Sequence, residues 1–526
     1  MIDAIRMINI EIPSPDELDR VLATPRAIVD LSVNADGVVS ILGETCPPPA
    51  EGGHRYRLPP IFPEWLGDRR FNATHHVRFP YVVGEMARGI ATPRLVVAAA
   101  KAGLLGFYGS AGLGLSEIRS GVEEIKKALD PENGSWGANL IHAPHRPGDE
   151  GRVVDLFLEL GVRRVSASAF MRLTPDLVRY VASGLQHRSD GSVIRGNHLI
   201  PKISRAELAE QFMAPPPASV LQGLVAGGRL SPEQADLAAR VPVAEDITAE
   251  ADSGGHTDNR PAAVLLHSLS MARDRIASRH GIDANGIRIG LAGGIGTPSA
   301  VAAAFQMGAA YVLTGSINQA AVESGLSTAG RSMLAEAAPT DVMMAPAADM
   351  FEQGVRVQVL KRSTMFPMRA EKLYRLYRSG AAYEELSQGD REWLDDLLGE
   401  SFESAWAATE RHLQPIDPSV VERAKHDGNK KLALVSRRYL FLGAQWAREG
   451  QSDRRLDFQI WCGPAMGAFN EWVSGTSLQP IDNRTVKQIS WNLLEGAAVL
   501  TRAAQMRAAG VAIPPNRFTF KPRLFE

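Results

Sequence analysis

Cysteine is nearly absent. Cys46 and Cys462 are the only two in 526 residues, and they stand far apart. That excludes a disulfide framework and fits a reducing cytoplasm. Neither cysteine has a partner at metal-ligand spacing, so no metal site is expected. Charge of one sign is lacking as well. Lys and Arg number 57 against 59 Asp and Glu, a net charge of −2. The basic residues are scattered, which argues against a nucleic-acid backbone as partner. No apolar run approaches the roughly 20 residues that a bilayer-spanning helix needs. Residues 1–10 lack the basic-then-apolar layout of a signal peptide. A soluble chain with no membrane association is therefore expected. What is present is ordinary for a globular protein, 45% apolar and 22% charged. The length exceeds one core of usual size, so two or three domains are expected.

Residues 1–75 read as a small β-containing N-terminal module. Apolar runs at 27–33 and 37–42 flank Asn34-Ala35-Asp36-Gly37, a hairpin signal, and a proline-rich loop follows at 46–53. From Phe79 the pattern changes. Strand-like runs fall at 80–83, 104–108, 138–142, 164–168, 198–203, 246–252, 287–292 and 311–315, alternating with helical periodicity. Eight such units predict an α/β fold, a parallel (β/α)8 TIM barrel over 76–348. Pro201 inside the fifth run removes a ladder donor and weakens that strand. A helical insertion is expected at about 214–242, where Ser231-Pro232-Glu233-Gln234 reads as a capping box. Residues 349–526 read as an all-α C-terminal domain after a last strand at 355–360, with helices at 369–377, 390–398, 404–412, 418–425, 430–446 and 485–507.

Small residues gather where the strands end. Gly84-Glu85-Met86-Ala87 follows the first strand and Ser253-Gly254-Gly255-His256 the sixth. Gly293-Gly294-Ile295 follows the seventh and Thr314-Gly315-Ser316 the eighth. Barrel active sites lie at these C-terminal ends, and backbone N–H groups left uncovered by glycine can bind phosphate there. Glycines also make tight turns, so each pair alone leaves both readings open. His256 carries a proton that moves near neutral pH. A loop histidine is as readily a hydrogen-bonded surface residue. Asn139 and Lys202 could meet the polar edge of a flat ring, or Lys202 could be a salt bridge at the rim. Met86 fits under a ring or in the core. His142 reads as a second pocket residue or a satisfied core histidine. Asp252 and Asp258 are too isolated for a glycosidase pair.

These strand-end loops resemble those of the nitronate monooxygenase-like flavin barrels, which include FMN-dependent enoyl reductases. Further motifs resemble the PfaD-type trans-acting enoyl reductases of polyketide and polyunsaturated fatty acid synthases. They are Pro63-Glu64-Trp65-Leu66-Gly67-Asp68, Arg78-Phe79-Pro80-Tyr81, the stretch 251–258, Gln358-Val359-Leu360-Lys361-Arg362, Thr364-Met365-Phe366-Pro367 and Ile460-Trp461-Cys462-Gly463-Pro464-Ala465-Met466-Gly467. The resemblance covers residues 58–500 or so. It implies FMN as cofactor, NADPH or NADH as hydride source, and an α,β-unsaturated thioester on an acyl carrier protein as substrate. It implies that Gly84, Glu85, Met86, Ala87, Asn139 and Lys202 surround the FMN ring. It implies that Ser253, Gly254, Gly255, Gly293, Gly294, Ile295, Thr314, Gly315 and Ser316 hold its phosphate and ring, with His256 beside the flavin as the acid. Two positions depart from the family pattern: Arg88 stands where a small amide residue is expected, and Pro201 where alanine is. Arg88 and His142 become candidate substrate contacts. A nitronate monooxygenase-type flavin oxidase and a non-catalytic barrel scaffold are the competing readings. Oligomeric state is open, a homodimer among the options.

Overall fold

Short runs of Val, Ile, Leu, Ala and Tyr, apolar on both faces, make strands that must be covered on both sides. Eight of them pair in parallel and close on themselves: β1 (Tyr81–Val83), β2 (Leu105–Tyr108), β3 (Trp136–Ile141), β4 (Arg164–Ser168), β5 (His198–Ile203), β6 (Asp246–Glu250), β7 (Arg288–Ala292) and β8 (Val312–Thr314). This computed structural model describes residues 13–42, 53–129, 134–142 and 148–526. Most of the proline-rich loop expected at 46–53, with Cys46, lies outside them. β5 runs unbroken through Pro201, which stands opposite Ala167 of β4 while Lys202 stands opposite Thr248 of β6. The weakness expected there does not interrupt the strand.

Threonine side chains start the outer helices. Thr92, Thr174 and Thr297 each accept from a backbone N–H of the first turn, with proline next in sequence. Ser231 and Gln234 cap each other reciprocally in the insertion, whose helices are Ala218–Ala226 and Pro232–Ala238. The N-terminal hairpin forms with Leu31 opposite Ile41, and His54–Leu58 adds a third strand.

The N-terminal ends of the strands are sealed by charge. His75, at the end of the helix Arg69–His75, sits fully buried with Nε2 2.9 Å from Asp246. Arg288 grips the same carboxylate with two bonds of 2.7 Å, and Arg164 donates to His75 Nδ1 at 3.1 Å. The opposite ends of the strands are left for the loops.

Beyond the barrel, helices at Phe366–Arg378, Gln388–Leu398, Phe402–Leu413, Pro418–His426, Gly428–Glu449 and Val486–Ala508 match the helical periodicity of the sequence. The last of these packs on Pro93–Lys101 and Pro298–Gln306, the helices that follow β1 and β7. It fills the place in the outer ring where a helix after β8 would stand. The strand expected at 355–360 is present as Arg356–Leu360, but its partner Val342–Pro346 is not among the expected strands, nor is the two-residue third strand Gly255–His256 that pairs onto Arg356–Leu360. The hairpin of Leu185–His187 with Val193–Arg195 is not among them either. Strands of three to five residues are too short to show a period, and the third strand takes its partner from distant sequence. Among the described residues, no helix is long and apolar enough to cross a membrane.

Candidate active site

A cavity of about 980 Å³ opens at the C-terminal ends of the barrel strands. Every candidate named from the sequence lines it except Gly84. Gly84 lies just behind: its N–H donates to Thr314 O at 2.8 Å, and a Cβ there would come within 2.6 Å of Leu313 Cδ2. The loops after β1, β6, β7 and β8 thus share one space, although Glu85 and Ser316 stand 231 positions apart in sequence.

Two of the glycines face emptiness. Gly294 has φ of 72°, and a Cβ on it or on Gly315 would meet no atom within 4 Å. Gly293, at φ of 87°, is instead pressed on Ala251, whose carbonyl carbon would lie 2.6 Å from a Cβ. The first two leave room for a ligand; the third lets the β6 and β7 loops touch.

Lys202, on β5, is held between two carboxylates, Glu85 at 3.0 Å and Glu250 at 3.1 Å. Burial alone would lower its pKa, but Glu250 and Glu85 outweigh that and raise it, so the ammonium stays charged. Its charge is already met by the protein. Ser168 donates to Glu85 Oε1 at 2.7 Å, and Glu85 Oε2 is buried without a partner. Asn139 is buried on β3; its Nδ2 donates to Ser166 O at 3.1 Å and to Ser168 Oγ at 2.9 Å.

His256 stands on the two-residue strand, in register with Val357. Its Nε2 lies 3.2 Å from the Asp349 carboxylate. Burial disfavours the charged ring, yet the bond to Asp349 and its charge prevail and raise the pKa of His256. His142 lies against Phe170, ring centroids 5.0 Å apart, with Nδ1 3.5 Å from Glu150. Arg88 has left-handed backbone, φ of 58°. Its guanidinium lies 3.8 Å from the Phe441 ring centroid and donates to Phe441 O at 2.8 Å, while Arg448 donates to Arg88 O at 2.6 Å. That arginine joins the β1 loop to the helix Gly428–Glu449.

Sequence reasoning missed several contributors. Gln358 donates to Asp252 Oδ1 at 2.7 Å and to Ser253 O at 2.8 Å, tying down the Gly-Gly-His loop. Gln319 and Gln459 line the cavity, each with a buried Oε1 that has no partner. Above the barrel mouth the cavity continues along Leu413, Val420, Leu434 and Phe441 of three helices. Gln358 and Trp461 did lie in motifs that carry the family resemblance, but only the fold shows what they touch. Cys462 is buried, which pushes its thiol up to about 12, and it serves as packing.

Residues 381–458 match the inserted helical domain of [acyl-carrier-protein] S-malonyltransferase. Over 449 residues, 84% of this chain, the sequence is 44% identical to a polyunsaturated fatty acid synthase polypeptide of Thraustochytrium sp. and spans 30% of that protein. It is 40% identical to the polyketide biosynthesis protein PksE of Bacillus subtilis, over 84% of this chain and 57% of PksE. The chain therefore spans less than two thirds of either relative. Among solved structures, the enoyl reductase domain of MlnA from the macrolactin biosynthesis cluster of Bacillus amyloliquefaciens superposes with a TM-score of 0.80 at 35% identity, covering 85% of this chain and 99% of that one. With the barrel, its strand-end loops and nearly the whole of a solved domain in common, the chain belongs to the PfaD-type enoyl reductase family of polyketide and polyunsaturated fatty acid synthases.

Proposed function

We propose that this protein is an FMN-dependent enoyl reductase. It uses NADPH or NADH to reduce α,β-unsaturated acyl thioesters, presented in trans by acyl carrier protein during polyketide or polyunsaturated fatty acid synthesis. The observation that carries this reading is the single cavity that unites the glycine loops of β6, β7 and β8 with Lys202, Asn139 and His256, and then continues under the helices of the 381–458 segment.

The residues present fit FMN. Gly294 and Gly315 leave open the volume that a side chain would fill, which suits a phosphate held by backbone. Glu85 Oε2, Gln319 Oε1 and Gln459 Oε1 are buried acceptors without donors, and the flavin ring and ribityl chain carry N–H and O–H donors that such atoms need. Bound there, FMN supplies the hydride that reaches the β-carbon of the enoyl thioester.

The rest of the work falls to the chain. Lys202, with its two carboxylates, makes a charged wall that is rigid because each partner is fixed. Asn139 presents an amide locked by Ser166 and Ser168. His256 supplies the proton that the α-carbon takes as the enolate collapses. The helices over the mouth exclude water from the acyl chain, and their apolar residues suit it.

The test is the visible spectrum of the purified full chain. A yellow protein is expected, bleached by NADPH without oxygen and restored by a crotonyl-type thioester. A flavin restored only by oxygen or by a nitronate would make it an oxidase. A protein that stays colourless with added FMN would leave it a scaffold.

A further inference from the structure

We propose that Asp349 is the positioning residue of His256. It holds the ring through Nε2 so that Nδ1 serves as the acid, and the helical segment above the barrel keeps Asp349 in place. The proposal rests on the enoyl reductase reading above and adds to it a residue that none of the strand-end loops contains.

Asp349 lies in the turn of the hairpin Val342–Pro346/Arg356–Leu360, and His256 pairs with the second strand of that hairpin. Ring and carboxylate therefore ride on one piece of sheet. The turn is fixed on both sides of Asp349. Before it, Ala348 O accepts from Arg437 Nε at 2.9 Å. After it, Phe351 is fully buried against Tyr374 and Tyr377, and Glu352 meets Lys430 at 2.6 Å and Arg437 at 3.4 Å. Lys430 and Arg437 both belong to the helix Gly428–Glu449.

A carboxylate on one imidazole nitrogen fixes the tautomer and leaves the other nitrogen for chemistry. Once hydride has formed the new C–H bond at the β-carbon, the electron pair of the double bond sits on the thioester as an enolate. The Nδ1–H bond breaks, its proton forms the Cα–H bond, and the ring is left neutral with Nε2–H on Asp349. The ring side chain is 31% exposed, so water can return the proton. Around the ring, Asp349 and Glu250 favour its charged form and Lys202 opposes it. Glu352 and Arg437 pair with each other beyond the turn, and Asp252 is occupied by Gln358 and Asn259.

Asp349→Asn in the full chain tests this, because it keeps the size and removes the charge. The His256 ring, followed by NMR, is expected to titrate lower by about one pH unit or more. The alkaline limb of kcat with a crotonyl thioester should move down with it, while reduction of the flavin by NADPH keeps its rate. Asp349→Glu should restore the limb in part, and Glu352→Gln should move it the same way by less. An unmoved titration and limb in Asp349→Asn overturns the proposal. An unmoved limb in Glu352→Gln removes the helical segment from it. His256→Ala separates this from the wider reading: full thioester turnover in that variant shows that His256 is not the acid at all.

Discussion

Gly254 and Gly463 stand back to back. A Cβ on Gly254 would lie 2.9 Å from Cys462 N, and one on Gly463 would lie 2.9 Å from Gly254 N. The loop after β6 and the Trp461-Cys462-Gly463 turn, 209 positions later, leave no room for a side chain between them. Gly463 N also donates to Ser316 Oγ at 3.0 Å, so the contact reaches the β8 loop. Gly254→Ala or Gly463→Ala must push the two loops apart. Each is expected to cost about 1–3 kcal/mol in urea unfolding and to weaken FMN binding with it. Wild-type stability in both variants would contradict the contact.

Gly315 gives the opposite test. Its φ is −119°, which any residue adopts, and a Cβ there meets nothing. Gly315→Ala should leave the melting temperature unchanged and still weaken FMN binding, read by flavin fluorescence, because the methyl group enters the space proposed for the phosphate. Unaltered affinity would place the phosphate elsewhere.

Lys202→Met leaves Glu85 and Glu250 facing each other with no cation. The side chain of Glu85 is only 3% exposed, so the expected loss at neutral pH is about 3–5 kcal/mol. Urea unfolding of the variant beside the wild type at about pH 7.5 measures this; equal stability would contradict it.

The sealed floor of the barrel sets an acid limit. Burial holds His198 down to about 3, with His75 and Arg164 adding to it, and burial lowers His75 as well. The unfolded chain then binds more protons than the folded one. Stability from these two rings is complete above about pH 6.5 and is lost as pH falls from there. Asp246 is lowered too, against its own burial, by His75 and Arg288, which adds a further loss below about pH 4. The melting temperature should drop by a few degrees between pH 7 and 5, and less in His198→Asn. His256 works in the other direction, since its raised value contributes stability below about pH 6.5 that fades above it.

The barrel was legible because each of its strands is an apolar run bounded by turn residues, and because Thr-Pro pairs mark helix starts whatever surrounds them. The strand-end loops were legible for the same reason: a glycine doublet after a strand is a local feature. Asp349 and Gln358 were not. Each acts on the β6 loop from about 100 residues away, and nothing local to Asp349 separates it from an ordinary turn aspartate. Lys202 was legible as a cation in the pocket, but its two carboxylates stand at β1 and β6, so its net contribution could be seen only once the strands were arranged in a ring. The roof over the cavity was read as helices, without a sign of which faces look down.

The helix Val486–Ala508 has a consequence for how this protein can be cut and moved. It stands between the helices after β1 and β7, so the outer wall of the barrel is closed by residues that follow all the other helices. A fragment that stops at residue 348 would expose that flank of the sheet. Its failure to turn over substrate would say nothing about the segment at 381–458. To fuse this protein to another, the joint belongs beyond Phe525, because Arg523 and Phe525 run back along the closing helix and bond to Asn492 and Gln488. To ask what the roof does, it should be shortened between residues 381 and 458, with the closing helix kept in place.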